Sequence, residues 1–435
     1  MTDQEFLQQI RRCNRCGFCQ NICPTYYYTK NEGLLARGRI RLIRTIHENN
    51  QSWGNDPELD HLLRSCLLCK ACVVNCPSTV PTDELVIKAR EKLNRANGFK
   101  FLHKALYRGV LSQRQRLPKI MSLARFYNKS GVRWLVKNIR LTSLFENLGR
   151  LESYIPVHLP KSARSQLPQL LEKVEKPRYR VGYFLGCATD NFFSDIAKAT
   201  ILYLQHVGCE VVVPPAQCCG GPHYSAGDLK EATRLARANV EYFIQEDCDY
   251  IVSDCATCTA TLKEYARFFG PEEQEQVQAF TAKVLDLNQF IVHYLPLPEL
   301  KPLQKRVTFH DPCHLVRGLG IKAEPRQILQ SIPGVTFVEM KQADWCCGGA
   351  GSYFLTQAQM SKQILQGKID NFVETGAEVL ATACPSCTLQ LSAGLQQRGL
   401  KAQVRHPVQL LAASAGIMES ALGGKKTHVP LPHHG

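Results

Sequence analysis

The chain has 435 residues, 44% of them hydrophobic, which is material for two or three domains with cores of their own and excludes extended disorder. No run approaches the roughly 18 apolar residues of a membrane span, and the start MTDQEFLQQIRRC lacks a signal-peptide stretch, so the cytoplasm is the expected location. Thiols stay reduced there, and twenty cysteines then speak for metal ligation and against a disulfide framework.

In chain order, the first feature is a pair of cysteine runs. Cys13, Cys16, Cys19 and Cys23 stand in CNRCGFCQNICP, and Cys66, Cys69, Cys72 and Cys76 in CLLCKACVVNCP. Both follow C-x2-C-x2-C-x3-C-P, the spacing by which thiolates hold a [4Fe-4S] cubane. Where two such runs share a module, the fourth cysteine of each serves the other cluster. The expected sets are therefore Cys13, Cys16, Cys19 and Cys76 around one cubane, and Cys66, Cys69, Cys72 and Cys23 around the other. Zinc is the competing reading, but zinc pairs two C-x2-C knuckles and leaves no role for four cysteines in each run. Pro24 and Pro77 are expected to turn the chain away after the last ligand. Between the runs, Leu34, Leu35, Ile40, Leu42, Ile43 and Ile46 suit a helix. Arg37, Arg39, Arg41 and Arg44 on it face either a partner or solvent.

Residues 1–98 are thus expected to form a helical two-cluster ferredoxin domain, and residues 99–177 a basic helical segment with a connector punctuated by Pro156, Pro160, Pro168 and Pro177. The net charge of +15 gathers here: residues 99–150 hold twelve Lys or Arg against one acidic residue, Glu146. Two or three short helices, broken near Pro118 and Gly131, are expected. Lys100, Lys104 and Arg108 recur at four-residue steps, as do Lys129, Arg133 and Lys137, with Arg140 behind them. Phe101, Leu102, Leu106, Val110, Trp134, Leu135 and Ile139 supply apolar surface. Such a segment lies on anionic lipid or an acidic partner, or else packs on the rest of the protein with its charges in water. Nucleic acid is not expected, since no recognised binding motif accompanies the charge.

From about 178 a pattern occurs twice, over 178–294 and 305–418, with LPLPELKPLQK between the copies. In the first, RVGYFLGC ends in Cys187, CEVVVPPAQCCGG carries Cys218 and Cys219, and CDYIVSDCATC ends in Cys255 and Cys258. In the second, RVTFHDPC ends in Cys313, GVTFVEMKQADWCCGG carries Cys346 and Cys347, and AEVLATACPSC ends in Cys384 and Cys387. The offsets are 126, 128 and 129 residues, too nearly constant for accident. Each apolar run reads as a strand followed by a helix, which gives two α/β units with mainly parallel sheets. Open sheets of this kind collect ligands beyond the carboxyl ends of their strands, where all ten cysteines fall. Gly220, Gly221, Gly348 and Gly349 admit close backbone approach. Zinc at a C-x2-C pair, or one merely structural copy, is the competing reading. Cys209 and Cys248 lie outside the pattern as small buried hydrophobes. His310 and His314 flank Cys313, either tuning or protonating near a cluster or serving a turn. His433 and His434 fall in an expected flexible tail, 419–435, and are assigned no metal.

Taken together, these motifs resemble the CCG-domain (cysteine-rich domain) iron-sulfur proteins, nearest to the iron-sulfur subunits of glycolate oxidase, with relatives in anaerobic glycerol-3-phosphate dehydrogenase and heterodisulfide reductase. The resemblance covers nearly the whole chain. It implies a mixed fold, a helical ferredoxin domain followed by two tandem α/β CCG repeats. It also implies one or two further, non-cubane iron-sulfur clusters on Cys187, Cys218, Cys219, Cys255 and Cys258, and on Cys313, Cys346, Cys347, Cys384 and Cys387.

No G-x-G-x-x-G follows a strand, so no flavin is expected on this chain. The resemblance supplies one through an FAD-binding partner that oxidises glycolate or lactate, with electrons passing on to quinone at the inner face of the membrane or to another acceptor. It implies an oxidoreductase subunit inactive on the organic substrate alone. Relatives of the oxidase type often lack cysteines in one repeat, whereas both sets are entire here. That departure keeps a heterodisulfide-reductase-like role, with a disulfide cleaved at a CCG-domain cluster, as the alternative.

Overall fold

The computed structural model describes residues 2–101, 103–113, 115–130, 160–216 and 218–418. The chain opens with helix Asp3–Arg11, started by a capping box in which the Glu5 N–H donates to Thr2 Oγ1 at 3.2 Å and the Thr2 N–H to Glu5 Oε2 at 2.7 Å. The helix expected between the cysteine runs spans Ala36–Glu48. Its Ile40, Ile43 and Ile46 bury against Leu59 and Leu63 of helix Pro57–Arg64 and Leu85, Val86, Ala89 and Leu93 of helix Thr82–Asn97. This apolar cluster fixes the two cysteine loops. Pro24 starts helix Pro24–Thr29, where its missing N–H costs nothing.

One arginine departs from expectation. Arg39 faces neither partner nor solvent: it is 1% exposed, its Nε donating to Leu62 O at 2.8 Å and its Nη1 to Leu34 O at 2.6 Å. A buried guanidinium is tolerable only when its donors are met, as here. Arg37 pairs with Glu32 and Arg44 with Glu48, while Arg41 stays exposed.

In the basic segment, His103–Leu111 winds as a π-helix and Arg116–Lys129 as an α-helix. The break falls between Leu111 and Arg116, not at Pro118, which sits in the first turn of the second helix where a proline needs no partner for its nitrogen. Part of the positive stripe is consumed inside the chain. Lys100 pairs with Asp60 at 2.5 Å, and Arg108 clamps Asp228 through Nε at 2.7 Å and Nη2 at 2.8 Å. Lys104 is exposed, and so are Ile120, Leu123 and Phe126 along one side of Arg116–Lys129. Gly131, Arg133, Trp134, Leu135, Lys137, Ile139, Arg140, Pro156 and the tail lie outside the described residues.

Two four-stranded sheets follow, every pair of strands parallel. The first contains β1 (Arg180–Tyr183), β2 (Glu210–Val212), β3 (Tyr250–Ser253) and β4 (Val284–Asp286), in the order β2-β1-β3-β4. The second repeats the order as β6-β5-β7-β8, with β5 (Lys305–Phe309), β6 (Val335–Phe337), β7 (Val379–Ala381) and β8 (Gln403–Arg405). Val181 lies opposite Val211 and Tyr250 in one sheet, and Val307 opposite Phe337 and Val379 in the other. The order reverses direction between β1 and β3, and again between β5 and β7, which opens a crevice at the carboxyl ends of those strands. One continuous apolar core spans both repeats. Cys209 and Cys248 are buried in the first, 0% and 2% exposed, and burial pushes each thiol up to about 11. A Cβ at Gly182 would meet Cys248 Sγ at 2.9 Å, so β1 can pass there only as glycine.

Candidate metal centres

The two N-terminal loops fold alike. Residues two and four beyond the first cysteine of each run take positive φ: Arg15 (60°) and Gly17 (87°) in the first, Leu68 (54°) and Lys70 (59°) in the second. Left-handed residues alternating with right-handed ones curl a loop so that successive N–H groups and thiols face one point. The result is two small cavities of about 30 Å³ each. Cys13, Cys16, Cys19 and Cys76 line the first; Cys23, Cys66 and Cys69 line the second; Cys72 borders both. Cys23 and Cys76 thus stand across from their own runs, each in the cavity of the other. Arg39 and Lys70 line the second cavity, with Lys70 paired to Asp83 on the same wall at 2.9 Å. Arg90, buried and donating to Leu63 O at 2.8 Å and Cys66 O at 2.7 Å, brings a third cation close by; burial draws it down to about 10.

In the repeats, thiols sit where strands hand over to helices. Cys187 begins helix Cys187–Phe192, Cys255 caps Ala256–Lys263 and Cys384 precedes Pro385–Gln397, so helix N-termini point positive potential at sulfur. Gly220 and Gly348 adopt φ of +83° and +82°, a conformation that swings the backbone around the paired cysteines. A Cβ at Gly221 or Gly349 would stand 3.4 or 3.5 Å from Cys219 or Cys347 Sγ, inside the space these thiols face.

The ten repeat thiols do more than converge in two separate crevices. Cys187 interacts with Cys218, Cys218 with Cys219, Cys219 with Cys258 and Cys258 with Cys255. Cys255 reaches Cys384 of the second repeat, from which Cys387, Cys347, Cys346 and Cys313 follow in turn. The junction is fixed by the Ala256 N–H donating to Ala383 O at 3.1 Å, with Thr257 Oγ1 3.6 Å from Cys384 Sγ. At the other end, Cys346 packs with Cys69 of the ferredoxin loop in one apolar cluster, and Cys313 adjoins it. Arg317 Nη1 donates to Cys69 O at 3.2 Å and the Tyr353 hydroxyl to Ser65 O at 3.0 Å. It is the second repeat whose cysteines abut the second ferredoxin loop, while the first repeat meets that loop through Lys70 Nζ and Glu264 Oε1 at 3.3 Å.

All twenty cysteines are free thiols. Burial pushes Cys69 up to about 12, whereas hydrogen bonds from neighbouring thiols hold Cys219, Cys346 and Cys384 well below the ordinary range. Sulfurs this crowded cannot all ionise in a low dielectric without a cationic centre among them. A metal assembly is the chemistry this donor set fits, and thiolate-rich sites suit iron-sulfur clusters.

The two sites open differently. A cavity of about 1130 Å³, open to solvent, is lined by Cys313, Cys346, Cys347, Cys384 and Cys387 of the second repeat but by none of the first repeat's cysteines. His310 and His314 line it too, with Arg64, Arg90 and Lys100 across from them. His310 is fully buried and held down to about 3 by burial and by Lys368, itself lowered to about 8 by burial. His314 Nδ1 lies 3.7 Å from Cys313 Sγ and 3.4 Å from Thr257 Oγ1.

A second polar cluster went unread in the sequence. Asp228, 1% exposed at its side chain, receives His103 Nε2 at 3.0 Å as well as Arg108, with His223 Nδ1 3.8 Å away. Burial opposes ionisation of this carboxyl, but the hydrogen bonds from His103 and Arg108, with the His223 ring close by, outweigh it and hold the group far below the usual carboxylate range. The cluster ties the basic segment to the first repeat. Its one sequence signal was the run PHYSAGD behind the paired cysteines.

Known proteins share this arrangement. Family models match as a 4Fe-4S dicluster domain at 9–80, a glycolate oxidase iron-sulfur subunit linker region at 99–155, and a cysteine-rich domain twice, at 181–263 and 307–392. The probable glycolate oxidase iron-sulfur subunit of Bacillus subtilis is 34% identical over 424 residues, covering 94% of both chains. The chain belongs to the glycolate oxidase iron-sulfur subunit family. Lactate utilization protein A of Exiguobacterium sp. is 33% identical over 53% of this chain and 96% of its own length. A subunit of the fumarate reductase (CoM/CoB) of Methanothermobacter marburgensis is 29% identical over 78% and 69%. Among solved structures, a hypothetical protein from Helicobacter pylori covers 96% of this chain and 76% of its own at a TM-score of 0.54 and 9% identity, a likeness of fold alone. This subunit is thus an iron-sulfur protein of oxidoreductase type, with a helical ferredoxin-like domain ahead of two CCG repeats. Among its described residues no helix is long and apolar enough to cross a membrane.

Proposed function

We propose that the chain is the electron-transfer subunit of a flavin-dependent oxidoreductase that oxidises a 2-hydroxy acid such as glycolate or lactate. The observation that carries this reading is the unbroken succession of sulfur sites: the Cys13 cavity shares Cys72 with the Cys69 cavity, Cys69 packs on Cys346, and the line of thiols runs on to Cys187. Cys13, Cys16, Cys19 and Cys76 hold one [4Fe-4S] cubane in this reading, and Cys66, Cys69, Cys72 and Cys23 the other. Cys313, Cys346, Cys347, Cys384 and Cys387 hold a third, non-cubane cluster, and Cys187, Cys218, Cys219, Cys255 and Cys258 a fourth.

Bound there, the clusters supply one-electron relay. The protein does the rest: Arg39 and Arg90 offset the charge of the thiolates, and Leu67, Ile364 and Tyr353 hold Cys69 and Cys346 together in one apolar cluster. An FAD-binding partner removes two electrons and two protons from the hydroxy acid, leaving the oxo acid, and a quinone or other acceptor takes up both. Exposed Ile120, Leu123 and Phe126, on a helix that also carries Arg116 and Lys119, support docking of the basic segment on the partner or on the inner membrane face.

The open cavity over the second repeat favours a second reading, reductive cleavage of a disulfide there, two electrons and two protons giving two thiols. Iron and acid-labile sulfide per chain after anaerobic purification test both. About sixteen irons fit two cubanes and two repeat clusters. Capture of a flavoprotein that reduces them with glycolate or lactate supports the first reading, and reoxidation of the isolated chain by disulfide supports the second. About eight irons with zinc alongside would defeat the assignment of the repeats.

A further inference from the structure

His310 follows β5 directly, and its N–H donates to Ala381 O of β7 at 2.9 Å. Its side chain is 0% exposed, and neither ring nitrogen has a hydrogen-bond partner. The Ala343 carbonyl faces the ring without reaching hydrogen-bond geometry. One ring nitrogen lies within 4.8 Å of both Cys347 Sγ and Cys387 Sγ. An imidazole left unpaired in the interior carries an uncompensated desolvation cost, and a site that bears this cost has a use for the lone pair. The first repeat shows what the fold accepts where there is none. Phe184 follows β1 at the same place, three residues before Cys187 as His310 is three before Cys313, and its N–H donates to Val252 O of β3 at 2.8 Å.

We propose that His310 is a nitrogen ligand to iron in the second repeat, which makes that centre a mixed sulfur and nitrogen site beside an all-sulfur one in the first. The inference rests on the reading that the second repeat holds iron. The pieces of a histidine ligand are in place: a buried ring and a nitrogen among thiols. The thiolates are five in each repeat, so a neutral imidazole leaves their charge equal and distinguishes the two centres by donor set. The second-repeat centre lies next to the ferredoxin loop and faces the open cavity.

The test uses the full chain, purified anaerobically from cells fed histidine labelled with heavy nitrogen, and pulsed electron paramagnetic resonance across a redox titration. Mössbauer spectra of iron-labelled protein read the same site in its diamagnetic state. Wild-type protein is expected to show nitrogen coupling that changes with the histidine label. His310→Phe, which copies the first repeat's Phe184, is expected to lose that coupling and the corresponding Mössbauer component and to keep the ferredoxin signals. Cys346→Ser/Cys347→Ser separates the two claims. If this variant loses iron while the wild type shows no histidine coupling, His310 is not a ligand although the second repeat holds a cluster. If it loses no iron, the cluster assignment itself fails. Coupling kept in His310→Phe but lost in His314→Gln would give the nitrogen to His314 and overturn the proposal.

Discussion

The first repeat surrounds its five cysteines with Phe184, with Tyr265, whose hydroxyl donates to Cys219 O at 2.9 Å, and with Asp254, which accepts from the Tyr183 hydroxyl at 2.6 Å. The second surrounds the equivalent five with His310, His314 and Lys368 and leaves them facing an open cavity. Strand order, thiol spacing and the left-handed glycines are common to both. Duplication has kept what a thiolate cage demands of the backbone, while a handful of buried polar side chains have diverged. Under the proposed function the two repeats place their groups in unlike electrostatic surroundings, which is what a directional relay needs.

The largest effect that can break this comparison comes from paired serine substitutions. Cys346→Ser/Cys347→Ser is expected to lower reduction of the final acceptor by about 100-fold, and Cys218→Ser/Cys219→Ser by about 10-fold, within the range seen when metal-site residues are removed. Stopped-flow reduction by the flavoprotein partner measures both, and equal losses would mean the repeats are not ordered as their contacts suggest.

The clasp on the first repeat gives the next effect. Asp228→Asn is expected to cost about 2–3 kcal/mol at neutral pH, since it leaves the cation of Arg108 and two histidines around a neutral amide. Because the carboxyl is held below its ordinary value in the folded chain, its contribution is complete above the unfolded carboxylate value of about 3.9 and fades as pH falls below it. Denaturant unfolding of variant and parent should thus converge in acid. A constant difference at every pH would assign the loss to shape and not to charge.

The smallest effect sharpens the likeness. Gly220→Ala and Gly348→Ala each force a side chain into left-handed backbone, about 1–2 kcal/mol. A Cβ at residue 348 would stand 2.9 Å from Ser361 O, whereas at residue 220 it would stand 3.2 Å from Ala232 O. Thermal unfolding should place Gly348→Ala below Gly220→Ala.

Spacing made much of this legible. The crossed places of Cys23 and Cys76, the helix Ala36–Glu48 and the parallel strands ahead of each cysteine follow from local pattern, because cluster loops and short buried strands are written in consecutive residues. What stayed hidden depends on residues far apart. Cys69 meets Cys346, 277 positions further along the chain, and no periodicity announces it. Arg39 resembles its neighbours Arg37, Arg41 and Arg44 in sequence, and only the carbonyls of Leu34 and Leu62 make it a buried residue. His310 was visible as a candidate, but its orphaned ring nitrogens are a property of packing.

The exchange of Cys23 and Cys76 between the two ferredoxin cavities has a bearing on how the protein is made. Neither cavity gains its fourth thiol until helices on both sides of the 42-residue interval have docked. Loading one centre pulls the other into shape, so a ribosome-bound chain ending before Cys72 has no complete cage to offer the cell's assembly machinery. Maturation is accordingly expected to be all or none, with the apo form open to proteolysis between the runs and the filled form closed to it.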